Sequence, residues 1–146
     1  MTKISSEKIN YIKLTETFLA IIAIRQVGIL EIRFKKEQYE VGLEEQKAIE
    51  EAVLSLTNYG RESFHILVVP GRYGSINKEA REREMFKSPA YENQKSMAIV
   101  VHSLSQRILA KAFFLLKSQK PNYPYGYFES EKEAVKWLKQ LQAEKR

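Results

Sequence analysis

The sequence predicts an α/β fold: a mixed sheet of about five strands, with an antiparallel hairpin at one side, parallel strands joined by helices, and four to five helices. Three observations predict this fold. First, two neighbouring segments of strand length lie near the start of the chain. Second, apolar residues at helical spacing recur along the rest of the chain. Third, uninterrupted apolar segments of strand length alternate with these helical patterns. Such alternation indicates right-handed crossovers and a parallel core. The length of 146 residues fits one domain spanning 1–146.

Residues 17–34 predict the hairpin. Residues 17–25 are rich in apolar side chains, residues 28–34 alternate apolar and charged side chains, and Gln26 and Val27 stand beside Gly28 at the turn. Because the second of these strands has one polar face, we expect it to lie toward an edge of the sheet. Residues 1–14 fit either a lead-in segment or a first strand.

The first helix is predicted to begin near Leu43. Apolar residues recur there at helical spacing, at Ile49, Ala52, Val53 and Leu56. Glu44 and Glu45 occupy the first turn, where the helix dipole favours negative charge, and residues 58–60 can end the helix. Residues 64–69 then form an unbroken apolar run, which is typical of a strand covered on both faces.

A polar loop follows this strand and leads to a helix predicted over 78–86, with Asn77 as its N-cap. Residues 96–102 form a second buried strand. Ser103 and Gln106 then make a capping box. The apolar stripe of the helix that they begin is Leu104, Ile108, Ala112 and Leu115.

The last elements are a short strand and a closing helix. Pro121 and Pro124 end the preceding helix, and residues 125–128 are predicted to form the strand. Ser130 and Glu133 make a second capping box. The closing helix carries the apolar stripe Ala134, Trp137, Leu138 and Leu141.

The predicted functional site lies at the carboxyl edge of the parallel strands, where ligands bind in open α/β sheets. The segment GRYGSIN and the pair His102-Ser103 each leave a buried strand and lead to a helix N-terminus, which favours an anion. We therefore expect a ligand or anion site there. Its candidate residues are Arg72, Tyr73, Gly74, Ser75, Asn77, Arg81, His102, Ser103 and Arg107.

Each of these features has a structural alternative. GRYGSIN has neither a P-loop lysine nor a complete G-x-G-x-x-G, so its glycines fit a tight turn as well as a cradle for phosphate. Ser75 is either a phosphorylation site or a turn serine that caps backbone groups. His102 with Ser103 or Ser105 is compatible with hydrolase chemistry, but a histidine at a strand end more often bonds locally. No catalytic residue is assigned, and His65 is interpreted as a packing residue.

Composition limits the chemistry. The chain has no cysteine, its 18 acidic residues are all glutamate, and it has only two histidines. These counts disfavour disulfides, thiol nucleophiles and metal sites, so no metal and no cofactor is expected. The net charge of +6 comes from scattered lysines and arginines, which indicates a solvated surface rather than a nucleic-acid interface. No apolar run is long enough to span a membrane and no export signal is visible, so a cytoplasmic protein is expected.

The aromatic cluster Tyr123–Tyr127 is predicted to lie on or beside an edge strand. Alternation puts Tyr125 and Tyr127 on one face and Phe128 on the other. The pattern leaves open whether the tyrosine face is exposed. Because exposed edges can pair with another copy of the chain, a homodimer is a further hypothesis.

Four stretches carry a resemblance to a known family: VGILEIRF, INKEARE, SLSQRILAKAFFLLKSQKP and YFESEKEAVKWL. They resemble small bacterial proteins with a SpoIIAA-like fold, which are related to STAS domains and sometimes grouped with lipid-binding CRAL-TRIO modules. The resemblance covers roughly residues 25 to 140. It implies the SpoIIAA-like fold, and it implies that Ser75 is the nearest equivalent of the serine that is phosphorylated in STAS switches.

The function predicted from these features is a non-enzymatic binding or regulatory module with an unidentified protein partner. Its switch or anion site is expected at Arg72–Asn77. The alternatives are a carrier of a small anionic or lipid-like ligand, which requires an apolar pocket near the same loop, and a hydrolase that uses His102 and a nearby serine.

Overall fold

A computed structural model describes residues 9–83, 88–104, 106–107 and 122–144. Within these ranges it contains eight strands, three α-helices and one 3₁₀ turn. The strands are β1 (Lys13–Glu16), β2 (Ala20–Gln26), β3 (Ile29–Phe34), β4 (Gln38–Val41), β5 (Phe64–Val69), β6 (Tyr73–Ile76), β7 (Gln94–Val100) and β8 (Tyr125–Phe128). The helices are α1 (Leu43–Leu56), α2 (Lys78–Glu82) and α3 (Glu131–Glu144), and the 3₁₀ turn is Pro89–Tyr91.

Six strands form the main sheet, in the order β1-β2-β3-β5-β7-β8. The pairs β1–β2 and β2–β3 are antiparallel, whereas β3, β5, β7 and β8 run parallel to one another. This arrangement confirms the mixed sheet with its antiparallel hairpin at one side. The sheet has one more strand than expected because β1 is present; it spans residues 13–16 and overlaps the end of residues 1–14, which fitted either a lead-in segment or a first strand.

A second, two-stranded sheet was not predicted. β4 and β6 pair in parallel, with Gln38 opposite Tyr73 and Val41 opposite Ile76. The prediction of a loop over Arg72–Asn77 is therefore wrong for its central four residues, which form β6. Short strands of mixed polarity such as YGSI carry no strong periodic signal, because neither of their faces is fully buried.

Both faces of the main sheet are covered, as predicted for its central strands. On one face, side chains of alternate sheet residues such as Leu30 and Ile66 pack against α1 through Ile49 and Val53. On the other face, Leu67 and Ala98 are among the residues that pack against Ala134 and Leu138 of α3. Burial of each large aliphatic side chain in these two layers stabilises the fold by about 1.5–3 kcal/mol.

The expectation that the second hairpin strand lies toward an edge is wrong. β3 is an interior strand, bonded to β2 on one side and to β5 on the other. Glu31 in its centre is fully buried, with an exposed fraction of 0%. The charged side chains of β3 therefore form ion pairs in the fold instead of a solvated face.

The helix predictions are confirmed in part. α1 spans the predicted stripe and ends where Asn58, Tyr59 and Gly60 have positive φ angles. α2 stops at Glu82, and residues 84–86 of its predicted range lie outside the described residues. Of the predicted helix after Ser103, residues 104, 106 and 107 are described, whereas Ser105 and residues 108–121, with the stripe residues Ile108, Ala112 and Leu115, lie outside the described residues. Three α-helices are thus described where four to five were predicted.

The last strand and helix agree with their predictions. β8 is an edge strand, and Ser130 caps α3 by accepting a hydrogen bond from the Glu133 backbone N–H at 3.1 Å. Tyr125 and Tyr127 are half-buried against the face covered by α1, while Phe128 packs on Trp137 of α3 with 5.2 Å between ring centroids. The tyrosine face is thus largely occupied by core contacts.

Candidate functional site

The two strand exits that define the predicted site do meet. β5 and β7 run side by side and in parallel, so Pro70 and His102 leave the sheet at the same edge. The imidazole Nε2 of His102 lies 3.2 Å from the carbonyl oxygen of Pro70. The side-chain amide of Gln106 donates a hydrogen bond to the carbonyl oxygen of Gly71 at 2.8 Å. The spatial inference from the sequence is therefore confirmed for these segments.

Polar side chains at this edge are engaged in local capping. The Ser103 hydroxyl accepts a hydrogen bond from the Gln106 backbone N–H at 3.1 Å, and the His102 backbone N–H donates to Gln106 Oε1 at 2.6 Å. The first bond is the predicted N-cap bond of Ser103, whereas Gln106 returns to the N–H of His102 instead of that of Ser103. The guanidinium of Arg107 lies 3.6 Å from the carboxylate of Glu129. The contacts satisfy the groups at a helix start, which requires such partners in any protein.

The glycines before and within β6 permit close approach of two backbone segments. The Gly71 N–H donates to the hydroxyl of Tyr39 at 3.1 Å, and a β-carbon on Gly71 would overlap backbone atoms of Lys36 and Glu37. A β-carbon on Gly74 would overlap the ring of Tyr39. These contacts support the structural interpretation of both glycines.

The strand β6 takes the remaining predicted residues away from His102. Four extended residues advance the chain by about 10 Å, and the Asn77 backbone N–H then bonds to Val41, next to the start of α1. Asn77 caps α2 as predicted, by accepting from the Ala80 N–H at 2.9 Å. Arg72, Tyr73, Ser75 and Arg81 are exposed. The predicted residues thus form two separate groups, one at His102 and one at Asn77.

A second polar region lies on the face of the sheet covered by α3, and its centre is Glu31. The two oxygens of the buried Glu31 carboxylate accept hydrogen bonds from Arg25 and Arg33, each at 2.7 Å. The hydroxyl of Tyr11 also donates to Glu31, at 2.5 Å. The carboxylate of Glu131, in the first turn of α3, accepts from Arg25 at 2.6 Å and from Arg33 at 2.7 Å. We call these five residues the Glu31 cluster.

Arg25 contacts this cluster from a β-bulge in β2. The pairing of β2 with β3 shifts register between Ile24 and Gln26, so that Arg25 is the additional residue of the bulge. Bulges re-aim side chains in this way at many functional sites. Here the guanidinium of Arg25 joins that of Arg33 between two carboxylates.

Contacts within the cluster shift the pKa values of four of its residues. Burial alone would raise the pKa of Glu131, but hydrogen bonds from Arg33 and Arg25 outweigh it and hold that pKa below its ordinary value. Burial alone would lower the pKa values of Arg25 and Arg33, but their bonds to Glu31 and Glu131 raise both. Burial, reinforced by the bond to Glu31, raises the pKa of Tyr11 to about 12. Glu131, Arg25 and Arg33 therefore carry their charges at neutral pH, and Tyr11 is neutral.

An open groove of about 1140 Å³ lies above the Glu31 cluster, between α3 and the segment that holds Ile9 and Tyr11. We call it the basic groove. Five cationic side chains line it, together with the carboxylate of Glu131 and apolar side chains that include Val135 and Ala143. The cationic residues are Arg25, Arg33, Lys132, Lys136 and Lys139.

The three lysines of the basic groove form a row on one face of α3. They lie at i, i+4 and i+7, and all three are exposed. None of them makes an ion pair with any residue in the part of the chain that the structure describes. The sequence does contain this signal, because Lys132, Lys136 and Lys139 flank the predicted apolar stripe. Their link to Arg25 and Arg33 depends on the position of α3 and could not be predicted.

Other features of the described residues give no alternative site. A smaller cavity of about 180 Å³ has a mainly apolar lining that includes Ile24, Leu56 and Phe64. It lies at the amino end of β5, away from Gly71. Across the described ranges, no group of three side chains is arranged to hold a metal ion, and no helix has the length and apolarity needed to cross a membrane.

Comparison with curated proteins and with solved structures finds no match to this chain. A family model does match, over residues 22–142, and its description is a domain of unknown function, DUF7793. The matched range includes most of β2, all of β3 and most of α3, and so the five cationic residues of the basic groove. With this range covering more than half of its length, the chain belongs to the DUF7793 family.

Proposed function

We propose that this protein is a non-enzymatic binding module whose ligand site is the basic groove. One observation carries the proposal: five cationic side chains line the groove, and Glu131 is the carboxylate that lines it with them. Three of the cations, the lysines of α3, have no carboxylate partner in the described chain. An anionic ligand would complete the charge balance of this surface.

The three lysines of α3 repel one another, which lowers the stability of the helix, and a bound anion would offset this repulsion. Like charges at i,i+4 and i,i+3 on a helix destabilise it by about 0.2–0.5 kcal/mol per pair. Lys132 with Lys136, and Lys136 with Lys139, are two such pairs. A bound anion between these side chains replaces repulsion by attraction. Among the described residues the carboxyl edge has no such row: Arg107 has a carboxylate partner, Asn77 and Ser103 cap helices, and Arg72 is a single exposed cation.

The proposal is tested with inorganic tripolyphosphate as a simple polyanion. Isothermal titration calorimetry measures its affinity for the parent protein and for the variant K132Q/K136Q/K139Q. Glutamine keeps the helix propensity and removes the charge, so we expect affinity to fall by about tenfold or more, which corresponds to about 1.4 kcal/mol. The matched control is K47Q/K78Q/K95Q, which removes the same charge from exposed positions outside the groove. An equal loss in both variants would contradict the proposal.

A regulatory role for Ser75 is a second candidate, in line with the proposed relation to SpoIIAA-like and STAS domains. The observation that favours it is exposure: the Ser75 hydroxyl has a long contact of 3.4 Å with the Tyr39 carbonyl, on a strand open to solvent. A kinase can therefore reach it. Mass spectrometry after incubation with a cell extract tests this role, and an unmodified Ser75 in a protein that is phosphorylated elsewhere would argue against it.

A further inference from the structure

We infer that the occupant of the basic groove is an extended acidic segment of a partner protein. This inference rests on the proposed function, since it requires that the groove binds an anion. It goes further by naming the class of ligand. Three properties of the groove support it: its open shape, the spacing of its cations and the chemistry of its remaining lining.

The shape favours a polymer over a small molecule. Small-molecule sites are usually enclosed cavities of about 300–1000 Å³ that bury most of the ligand. The basic groove, as the described residues define it, is an open surface groove of about 1140 Å³. Its wall extends from Lys132 to Ala143, a rise of about 17 Å along a helix. An extended peptide of about five residues has that length.

The spacing of the lysines fits an extended chain. Lys132 and Lys136 are separated by about 6 Å along the helix axis. In an extended segment, alternate side chains point to the same face about 6.6 Å apart. Acidic residues at alternate positions can therefore each contact one lysine, and the flexible lysine stems accommodate the small difference in spacing.

The arginines at the floor of the groove retain donors for a carboxylate. Arg25 uses Nη1 for both of its ion pairs, and Arg33 uses Nε and Nη2. Nη2 of Arg25 and Nη1 of Arg33 thus have no acceptor among the described residues. Because Glu31 and Glu131 already hold both guanidinium groups in place, a ligand carboxylate would meet donors of fixed orientation.

The lining favours a peptide over a nucleic acid. Single-stranded nucleic acids bind through aromatic side chains on which bases stack. Tyr11 is the aromatic residue of the groove lining, and its hydroxyl bonds to Glu31. Ile9, Val135 and Ala143 instead offer apolar contacts to side chains that alternate with the acidic ones.

The experiment compares three labelled probes by fluorescence anisotropy at low salt. They are an eight-residue peptide that alternates Glu with Leu, the same peptide with Gln in place of Glu, and an oligothymidylate of eight nucleotides. The proteins are the parent, K132Q/K136Q/K139Q and the control K47Q/K78Q/K95Q. Because all the substituted side chains are exposed, each variant is expected to fold, which circular dichroism verifies.

We expect the Glu peptide to bind the parent about tenfold or more tightly than the Gln peptide, and the groove variant to lose that preference while the control keeps it. If the oligothymidylate binds in the groove and the Glu peptide does not, the inference is overturned and the proposed function stands. If the Glu peptide binds the two variants equally, the inference is also overturned. If no probe, tripolyphosphate included, binds the parent, the proposed function itself fails.

Discussion

The carboxyl edge of β5 and β7 and the basic groove beside α3 are both rich in polar side chains, but the two regions use them differently. At the carboxyl edge, the side chains of Ser103 and Gln106 bond to backbone groups at the same helix start, and Gln106 also donates to the carbonyl of Gly71, 35 residues away. In the groove, Arg25 and Arg33 contact Glu131, which lies 106 and 98 residues away along the chain. The comparison teaches that convergence of polar residues is weaker evidence for a site than charge that the fold leaves unbalanced.

The largest expected effect is a loss in the free energy of unfolding when Glu31, at the centre of the Glu31 cluster, is substituted. Glu31→Gln removes the carboxylate between two arginines while all three side chains remain at least partly buried. Breaking a buried ion pair in this way typically costs about 3–5 kcal/mol, and we expect a loss of about 3 kcal/mol in the free energy of unfolding. Urea denaturation monitored by circular dichroism measures it.

The matched control for this change is Glu16→Gln. Glu16 also pairs with a cation, Lys35, but its side chain is 56% exposed. Exposed pairs contribute about 0–1 kcal/mol. Equal losses for the two variants would mean that the Glu31 cluster is no more important for stability than a surface ion pair.

A smaller effect is expected for Glu131→Gln, and it should depend on pH. The folded-state pKa of Glu131 is lowered below its ordinary value of 4.5, so its charged form stabilises the fold above that pH. We expect the parent to exceed the variant by about 1 kcal/mol at pH 7, since the carboxylate is partly exposed. The difference should disappear as the pH falls below 4.5 and through the lowered pKa. A difference that is constant from pH 7 to pH 2 would contradict this assignment.

The smallest effects are expected at the carboxyl edge. Arg72→Ala and His102→Ala remove exposed side chains, and each should change the free energy of unfolding by no more than about 0.5 kcal/mol. Neither should change the affinity for tripolyphosphate measured by calorimetry. If either variant weakens that affinity as much as K132Q/K136Q/K139Q does, the carboxyl edge is the anion site and the comparison is reversed.

Much of the fold could be predicted because several elements have one clear period. The stripe of α1, the unbroken run of β5 and the capping boxes at Ser103 and Ser130 each correspond to a local physical requirement. β4 and β6 were missed because four-residue strands at the periphery bury too little to impose a pattern on the sequence.

The position of β3 could not be predicted for a different reason. Alternation of apolar and charged residues is the same whether the charged face meets water or meets opposite charges from elsewhere in the chain. The sequence ILEIRF does not distinguish these two cases. The groups that bond to Glu31 are the hydroxyl of Tyr11 and the guanidinium groups of Arg25 and Arg33, and Glu131 from the distant α3 bonds to the same two arginines. Since the basic groove is formed by these same long-range contacts, it was missed together with the position of β3.

The two attachments of α3 have a consequence for how a partner would be recognised. Near the beginning of α3, Glu131 bonds to Arg25 and Arg33. Near its end, the side chain of Gln142 donates a hydrogen bond to the Val27 carbonyl at 2.7 Å. Val27 lies in the tight turn where Gly28 has a φ angle of 83°. With its two ends joined to the same hairpin, the helix cannot tilt or slide without breaking one of these contacts. The position of α3, which forms one wall of the basic groove, is thus fixed before a ligand binds. The conformational entropy lost on binding would therefore fall mainly on the ligand.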